Sequence, residues 1–283
     1  MTAKLGIIGY PIGHSISPVF QQAALDSCGI AATYLAYEVA PEEVGSFVES
    51  LRSPDTYGIN VTVPHKEAVI PHLDEVDDRA TRAGAVNTIV NRNGRLTGHN
   101  TDGSGFLTAL RQAGGFEPTG RRVLLLGAGG AARGVVLALA QEHVARIDIA
   151  NRTLARAQQL AELVQLNGIE SRAIPLPGTD LVAQAASADL IVNCTTIGMS
   201  HGPDEAGSPL SAGQIPPTAL VYDLVYNPLE TPLLGEAAKA GAASLGGIQM
   251  LVYQGAASFE MWTGRAAPIA VMLEAATQAM ASR

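Results

Sequence analysis

The chain has little of what a metal or disulfide protein needs. Its 283 residues hold only two cysteines, Cys28 and Cys194, far apart in sequence. Neither stands at ligand spacing from a histidine or from the other cysteine, so no zinc site is expected. Two free thiols in a reducing compartment are expected rather than a disulfide. No run approaches the roughly 20 apolar residues that cross a bilayer. The stretch MTAKLGIIGYPIGHS has one lysine ahead of a short apolar run that Gly, Pro and His soon break. It reads as a first strand and not as a secretory leader, and a cytoplasmic location is expected. Lys and Arg nowhere cluster and the formal net charge is −8, which argues against a nucleic-acid surface. There is no internal repeat and no low-complexity tract.

What is present is alternation. Apolar runs of strand length alternate with segments of helical period, the pattern of an α/β protein with mostly parallel sheets. The length suggests about two domains, at roughly 100–200 residues each. KLGIIG opens as a strand, and a helix is expected over 18–28, with Ser17 as its N-cap, Pro18 at its first position and Gly29 as its stop. TYLAYEV (33–39) and YGINVTV (57–63) read as strands, and AVNTIVN (85–91) with RLTGHN (95–100) as a hairpin turning at Asn93-Gly94. GGFEPTGRR (114–122) has the composition of a linker, after which VLLLG, ARIDIAN, DLIVNCT and LVYDLVY supply further strands. Two helical patterns close the chain, separated near Pro268. Ile248, Leu251, Val252, Phe259 and Trp262 have the spacing of a buried helix face, which Gln254 interrupts. These readings give an N-terminal, mostly parallel α/β unit, a second α/β unit after it, and two closing helices.

The nucleotide signal is Gly127-Ala128-Gly129-Gly130-Ala131-Ala132, which fits G-x-G-x-x-[GA]. The motif is weak alone, but here it follows an apolar strand and opens an Ala-rich helix. Gly127 permits the tight turn, Gly129 lets backbone N–H groups approach a pyrophosphate, and Ala132 keeps helix and strand close. The next strand ends Ala150-Asn151-Arg152-Thr153, with Arg156 one turn later. Two guanidinium groups and no carboxylate at this point suit a ribose 2′-phosphate, hence NADP(H) over NAD. Asp148 lies inside the strand and is expected to serve another purpose.

Small polar groups end four segments of the first 103 residues: His14-Ser15-Ile16-Ser17, Asn60-Val61-Thr62-Val63-Pro64-His65-Lys66, Ala85-Val86-Asn87-Thr88 and Asn100-Thr101-Asp102. In open α/β sheets ligands sit beyond the carboxyl ends of strands. These hydroxyls, amides, one ammonium and one carboxylate suit a small, polyhydroxylated, anionic substrate. Each also has a plainer reading, with Ser17 and Asp102 as helix caps and Asn87 as a turn residue.

Taken in order, PIGHSISP, NVTVPHK, GAVNT, HNTDG, GAGGAAR, ANRT, DLVYNP and GIQMLVYQG closely resemble the shikimate dehydrogenases, essentially end to end. The resemblance implies two α/β domains with a cleft between them: an N-terminal, mostly parallel substrate-binding domain over 1–103, completed by helices from about 250 to 283, and a Rossmann-type dinucleotide-binding domain over 104–249. It implies reversible reduction of 3-dehydroshikimate to shikimate with NADPH, on the route to aromatic amino acids. By position it implies that Ser15 and Ser17 bind a carboxylate, and that Asn60, Thr62, Asn87 and Asp102 hold ring hydroxyls. Lys66 matches the catalytic lysine, and Tyr226 and Gln254 match further substrate contacts. Gly247 and Met250 match positions near the nicotinamide, Leu224 a further cofactor-binding position, and Asp78 an acidic residue near the cofactor. Asn193-Cys194-Thr195-Thr196-Ile197-Gly198-Met199 resembles the family's N-A-T-x-x-G-M loop with Cys in place of Ala, a small-for-small exchange without expected consequence.

Reduction of a ring ketone builds negative charge on oxygen. A lysine ammonium stabilises that charge and donates the proton in its ordinary state. Lys66 is therefore expected as general acid for reduction and base for the reverse, with Asp102 orienting it. His14 and His65 are expected outside the chemistry. Two alternatives remain at this stage: an enzyme that also takes quinate or prefers NAD, and a ligand sensor without turnover. The sequence leaves monomer and homodimer open.

Overall fold

The computed structural model describes residues 3–282. Met1, Thr2 and Arg283, the outer ends of the expected first domain, lie outside the described residues. The chain divides into two compact units, Met1–Gly105 with Val252–Arg283, and Phe106–Leu251.

The first unit runs β1 (Ala3–Gly9), α1 (Ser17–Ser27), β2 (Ala32–Glu38), α2 (Val44–Ser50), β3 (Gly58–Val61), β4 (Glu75–Val76), α3 (Asp78–Ala83), β5 (Thr88–Arg92), β6 (Arg95–His99) and the start of α4 (Asp102–Gln112). Its sheet has the order β2-β1-β3-β5-β6-β4. β5 runs against both β3 and β6, whereas β1–β2, β1–β3 and β4–β6 are parallel. The carboxyl ends of β1, β3 and β6 and the beginning of β5 therefore share one edge. That edge carries all four polar segments. β1 and β3 are buried almost throughout, and Ile8, Ile59, Val61, Ile89 and Leu96 join Val44, Val48 and Val69 in one apolar cluster. Asn93 and Gly94 both take positive φ, as the expected hairpin turn requires.

Two local expectations change. The strand expected over 57–63 stops at Val61, because Pro64 lacks the N–H needed to extend a ladder and the chain turns at Thr62. Ser17 is the first residue of α1 and not its cap; Ile16 holds the cap position, and it is Ser15 Oγ that accepts the Ser17 N–H at 3.2 Å.

The second unit runs β7 (Arg122–Leu126), α5 (Gly130–Ala140), β8 (Arg146–Asn151), α6 (Leu154–Leu166), β9 (Glu170–Pro175), α7 (Thr179–Ser187), β10 (Leu190–Asn193), β11 (Leu220–Asp223), α8 (Pro232–Lys239), β12 (Ala243–Leu245) and the start of α9 (Gly247–Thr263). All strands are parallel in the order β9-β8-β7-β10-β11-β12. This is the doubly wound dinucleotide-binding order, whose switch point lies between β7 and β10. Leu124, Leu126, Ile174, Ile191 and Val221 build its core with α7 and α8, and Phe106 of α4 stacks on Tyr222 at 5.1 Å. The boundary between the units falls inside α4 and α9. The last helix, α10 (Ile269–Ala281), packs on α1 in the first unit.

Candidate active site

In the first unit the chain leaves β3 through a tight turn. The Thr62 N–H donates to the Ile8 carbonyl and the His65 N–H to the Thr62 carbonyl, each at 2.9 Å. His65 is buried, its ring Nε2 2.7 Å from the Val39 carbonyl. The Lys66 carbonyl accepts the Val86 N–H at 2.8 Å. The lysine backbone is thus clamped on both sides, and His65 acts as part of the scaffold.

The amine meets its partner across the sheet edge. Lys66 Nζ lies 2.5 Å from Asp102 Oδ2, with the side chains 28% and 24% exposed. Asp102 opens α4, where a carboxylate suits the partial positive charge of the helix start. Its other oxygen accepts a hydrogen from Asn87 Nδ2 at 2.8 Å.

Asn87 is buried, and protein groups meet both ends of its amide. The Thr101 backbone N–H, which can only donate, reaches Asn87 Oδ1 at 2.9 Å. That contact settles which end of the amide is oxygen. The NH2 end then faces Asp102 Oδ1, Thr101 Oγ1 and Gln254 Oε1. Four of the expected residues, Lys66, Asp102, Asn87 and Gln254, are therefore in direct contact, and the turn-residue reading of Asn87 falls away.

Asn60 sits behind them. Only 4% exposed, it accepts from the Tyr34 hydroxyl at 2.7 Å and donates toward the Asn87 carbonyl, Thr88 Oγ1 and Ser258 Oγ. Its amide is spent inside the protein. Ser15 and Thr62 are half-buried on the loops after β1 and β3 at the same sheet edge, whereas Ser17 is buried. Asp78, the exposed first residue of α3, belongs to this unit, its carboxylate at a helix start that Asp77 caps. Tyr226 belongs to the second unit, where it is half-buried.

In the second unit β7 ends at Leu126 and Gly127 takes φ +103°. A Cβ there would come within 3.0 Å of the Cys194 carbonyl carbon and Thr195 Cγ2, so only glycine fits the turn. Gly127 is buried and Ala128 half-buried, but Gly129, Gly130 and Ala131 are exposed at the start of α5. Their N–H groups precede the first intrahelical bonds, which makes this terminus receptive to an anion. Ala132 is buried against the sheet.

Asn151 ends β8 and donates to the Thr153 carbonyl at 2.9 Å, shaping the turn into α6. Arg152, Thr153 and Arg156 are exposed there. Among the described residues neither guanidinium has an ion-pair partner. Cations at a helix start oppose the dipole, so the helix itself gives no reason for the pair. Asp148 is buried and takes Arg146 Nε at 2.7 Å, which removes it from the nucleotide edge.

Leu224 follows β11, and its carbonyl oxygen would lie 2.2 Å from a Cβ on Gly247. Met250 follows on the first turn of α9. The loop is organised from below by Asp223, fully buried at the end of β11. Its Oδ1 accepts from Asn193 Nδ2 and the Val225 N–H, and its Oδ2 from the Thr231 hydroxyl. Burial raises this carboxyl above its ordinary value, opposed by those three donors. The Cys194 thiol is pushed well up by burial and by Asp223, the opposite of a reactive thiolate. Among the described residues no group of three or more His, Cys, Asp or Glu is placed to hold a metal ion, and no helix is long and apolar enough to cross a membrane.

Comparison with known proteins gives consistent matches along the chain. Residues 7–89 match the family model described as the shikimate dehydrogenase substrate binding domain, 109–200 that of shikimate / quinate 5-dehydrogenase, and 247–277 the shikimate 5′-dehydrogenase C-terminal domain. The shikimate dehydrogenase (NADP(+)) of Methanopyrus kandleri is 48% identical over 97% of this chain and 94% of that protein. That of Moorella thermoacetica is 45% identical over 99% of this chain and 94% of its own length. The chain belongs to the shikimate dehydrogenase family. Among solved structures, the shikimate 5-dehydrogenase of Thermus thermophilus in complex with NADP(H) and shikimate superposes with a TM-score of 0.86 at 39% identity, covering 98% of this chain and 99% of that one.

Reading the sequence for site residues misses Tyr34 and Ser258, which join Thr88 and Thr101 of the strand-end segments in a polar layer beside Asn60 and Asn87. One signal was available. Ser258 lies four residues after Gln254 on a helix whose neighbouring positions are apolar, so the two polar side chains share a face.

Proposed function

We propose that the chain catalyses the reversible, NADPH-dependent reduction of 3-dehydroshikimate to shikimate, a step toward the aromatic amino acids. The observation that carries this reading is the array Lys66–Asp102–Asn87: an ammonium held by a carboxylate that is itself held by a buried amide. Lys66 stabilises the negative charge that grows on the ketone oxygen and donates the proton to it; in oxidation of shikimate it takes the proton back. Asp102 keeps the amine in place and accepts from a substrate hydroxyl. Ser15 and Ser17 hold the substrate carboxylate, and Thr62, Asn87, Gln254 and Tyr226 its ring hydroxyls, with Asn60 supporting Asn87 from inside.

The residues of the second unit fit NADP(H). Backbone N–H groups over Gly127–Ala131 hold the pyrophosphate, Arg152 and Arg156 the 2′-phosphate, and Asn151 and Thr153 shape that turn. Gly247 and Met250 would serve the nicotinamide, with Leu224 and Asp78 as further cofactor-binding residues. The cofactor, when bound, supplies the hydride for the ketone carbon. In this reading residues 1–103 with about 250–283 serve the substrate and 104–249 the cofactor. The enzyme works in the cytoplasm as a monomer or homodimer.

The test is turnover of shikimate and of quinate, each with NADP and with NAD, followed by nicotinamide absorbance. Fast turnover of shikimate with NADP is expected. Preference for quinate or for NAD, or no turnover at all, sinks the reading.

A further inference from the structure

Beneath the Lys66–Asp102 pair lies a buried hydrogen-bond network. Thr88 and Ser258 are wholly buried, and Thr101 and Asn87 nearly so. The Asn60 amide faces the Asn87 backbone carbonyl, which can only accept, so that end of Asn60 is NH2. Its hydrogens point at Thr88 Oγ1 and Ser258 Oγ, at 3.2 and 3.0 Å. Thr88 Oγ1 lies 2.9 Å from Asn87 Oδ1, which can only accept, so the single Thr88 hydrogen goes there. The Thr88 and Ser258 hydroxyls are 2.7 Å apart, and the Ser258 hydroxyl also reaches the Gln254 carbonyl, which can only accept, at 3.1 Å. Thr88 donates to the Asn87 oxygen, which also accepts from the Thr101 N–H, and the Asn87 NH2 donates to Asp102 Oδ1. A reversed Asn87 amide would set its oxygen against the Asp102 carboxylate and its NH2 against the Thr88 hydrogen.

We propose that Thr88 and Ser258 are positioning residues that, together with the Thr101 N–H, hold the Asn87 amide in place and, through it, Asp102 beside Lys66. Neither touches the reacting atoms. Asn60 reinforces both. The proposal rests on the reductase reading for its kinetic consequence, but the amide placement it describes exists without substrate or cofactor.

The experiment compares Thr88→Val, Thr88→Ser and Ser258→Ala with the wild type. Valine keeps the shape of threonine and removes the hydroxyl; serine keeps the hydroxyl and removes the methyl group. With the Thr88 bond to the Asn87 oxygen lost, kcat with 3-dehydroshikimate falls by about tenfold in Thr88→Val, and the KM for NADPH is unchanged. Thr88→Ser restores kcat to within about threefold of wild type, because the hydroxyl and its direction return. The second readout is the Asn87 side-chain NH2 resonance in the ligand-free protein, assigned by its loss in Asn87→Asp. Its protons exchange slowly in wild type and Thr88→Ser, and quickly in Thr88→Val. Equal loss in the valine and serine variants, or a wild-type resonance and kcat in Thr88→Val, overturns the proposal. If Thr88→Val does not fold, Ser258→Ala decides by the same resonance: faster exchange upholds the proposal and wild-type exchange overturns it. Absence of turnover in the wild type would strike the reductase reading alone, since the amide signal is read without ligands.

Discussion

Lys66 Nζ lies 2.5 Å from Asp102 Oδ2, although 36 residues separate the two in sequence. The contact forms because β3 and β6 run the same way with β5 between them, so the loop after each strand opens on one edge. The carboxylate is held at both oxygens, by the amine and by Asn87. Removal of the amine should therefore cost turnover more than binding. In Lys66→Met, kcat falls by roughly 10²–10⁴-fold with little change in substrate KM. Steady-state kinetics in both directions check this; a raised KM with intact kcat would reduce Lys66 to a binding group.

Arg152 should discriminate between the two nicotinamide cofactors. It is exposed at the start of α6, without an ion-pair partner among the described residues. Arg152→Ala removes a charge-assisted bond of about 1.5–3 kcal/mol, and NADPH affinity falls by about ten- to a hundredfold. NADH binding hardly changes, because that cofactor has no 2′-phosphate. Fluorescence titration with each cofactor measures both affinities, and equal losses would remove Arg152 from phosphate recognition.

Gly247 should tolerate no side chain. A Cβ there would press on the Leu224 carbonyl oxygen at 2.2 Å, and a backbone carbonyl cannot swing aside as a flexible side chain can. Gly247→Ala should destabilise by about 1–3 kcal/mol through overpacking. Thermal unfolding reads this directly, and an unchanged melting temperature would show that the loop after β11 yields freely.

Two carboxyls should give opposite pH signatures. The Arg52 guanidinium 2.6 Å away, and then the Leu96 N–H, hold Asp74 below its ordinary value. The unfolded chain binds the proton more readily, so this stabilisation is present above the ordinary carboxylate value and is lost as pH falls through the lower native one. Asp223 is raised instead, so the native state binds the proton first. Its contribution declines as pH rises from the ordinary value through the raised one. Denaturant melts across the acid range should therefore show Asp74→Asn flattening the loss on the acid side. The stability of Asp223→Asn relative to wild type should improve as pH rises through that window. The same slope for both variants would contradict the assignment.

Much of the fold is legible from local pattern. Alternating apolar runs gave most of the longer strands, Asn93-Gly94 the hairpin, and Gly127 the turn into α5. Shorter and poorer strands escaped. β9 (ESRAIP) lies at a sheet edge with alternating burial and ends in Pro175, so it lacks the apolar run of a central strand. β4 has two residues and β12 three, too few to carry a period.

For the polar residues, the order of amino acids already settles which chemical groups stand at strand ends: an ammonium, a carboxylate, amides, hydroxyls and a glycine turn before two arginines. Which of them turn inward is set by packing in three dimensions. Asn60 has the same local setting as a ligand-binding amide, yet its hydrogens go to groups including Ser258, 198 residues away. Asp223 likewise ends a strand, and it is buried beneath Thr231 and Asn193. A polar side chain's direction depends on which donors and acceptors the fold brings within about 3 Å. Those partners come from distant segments that no local period records.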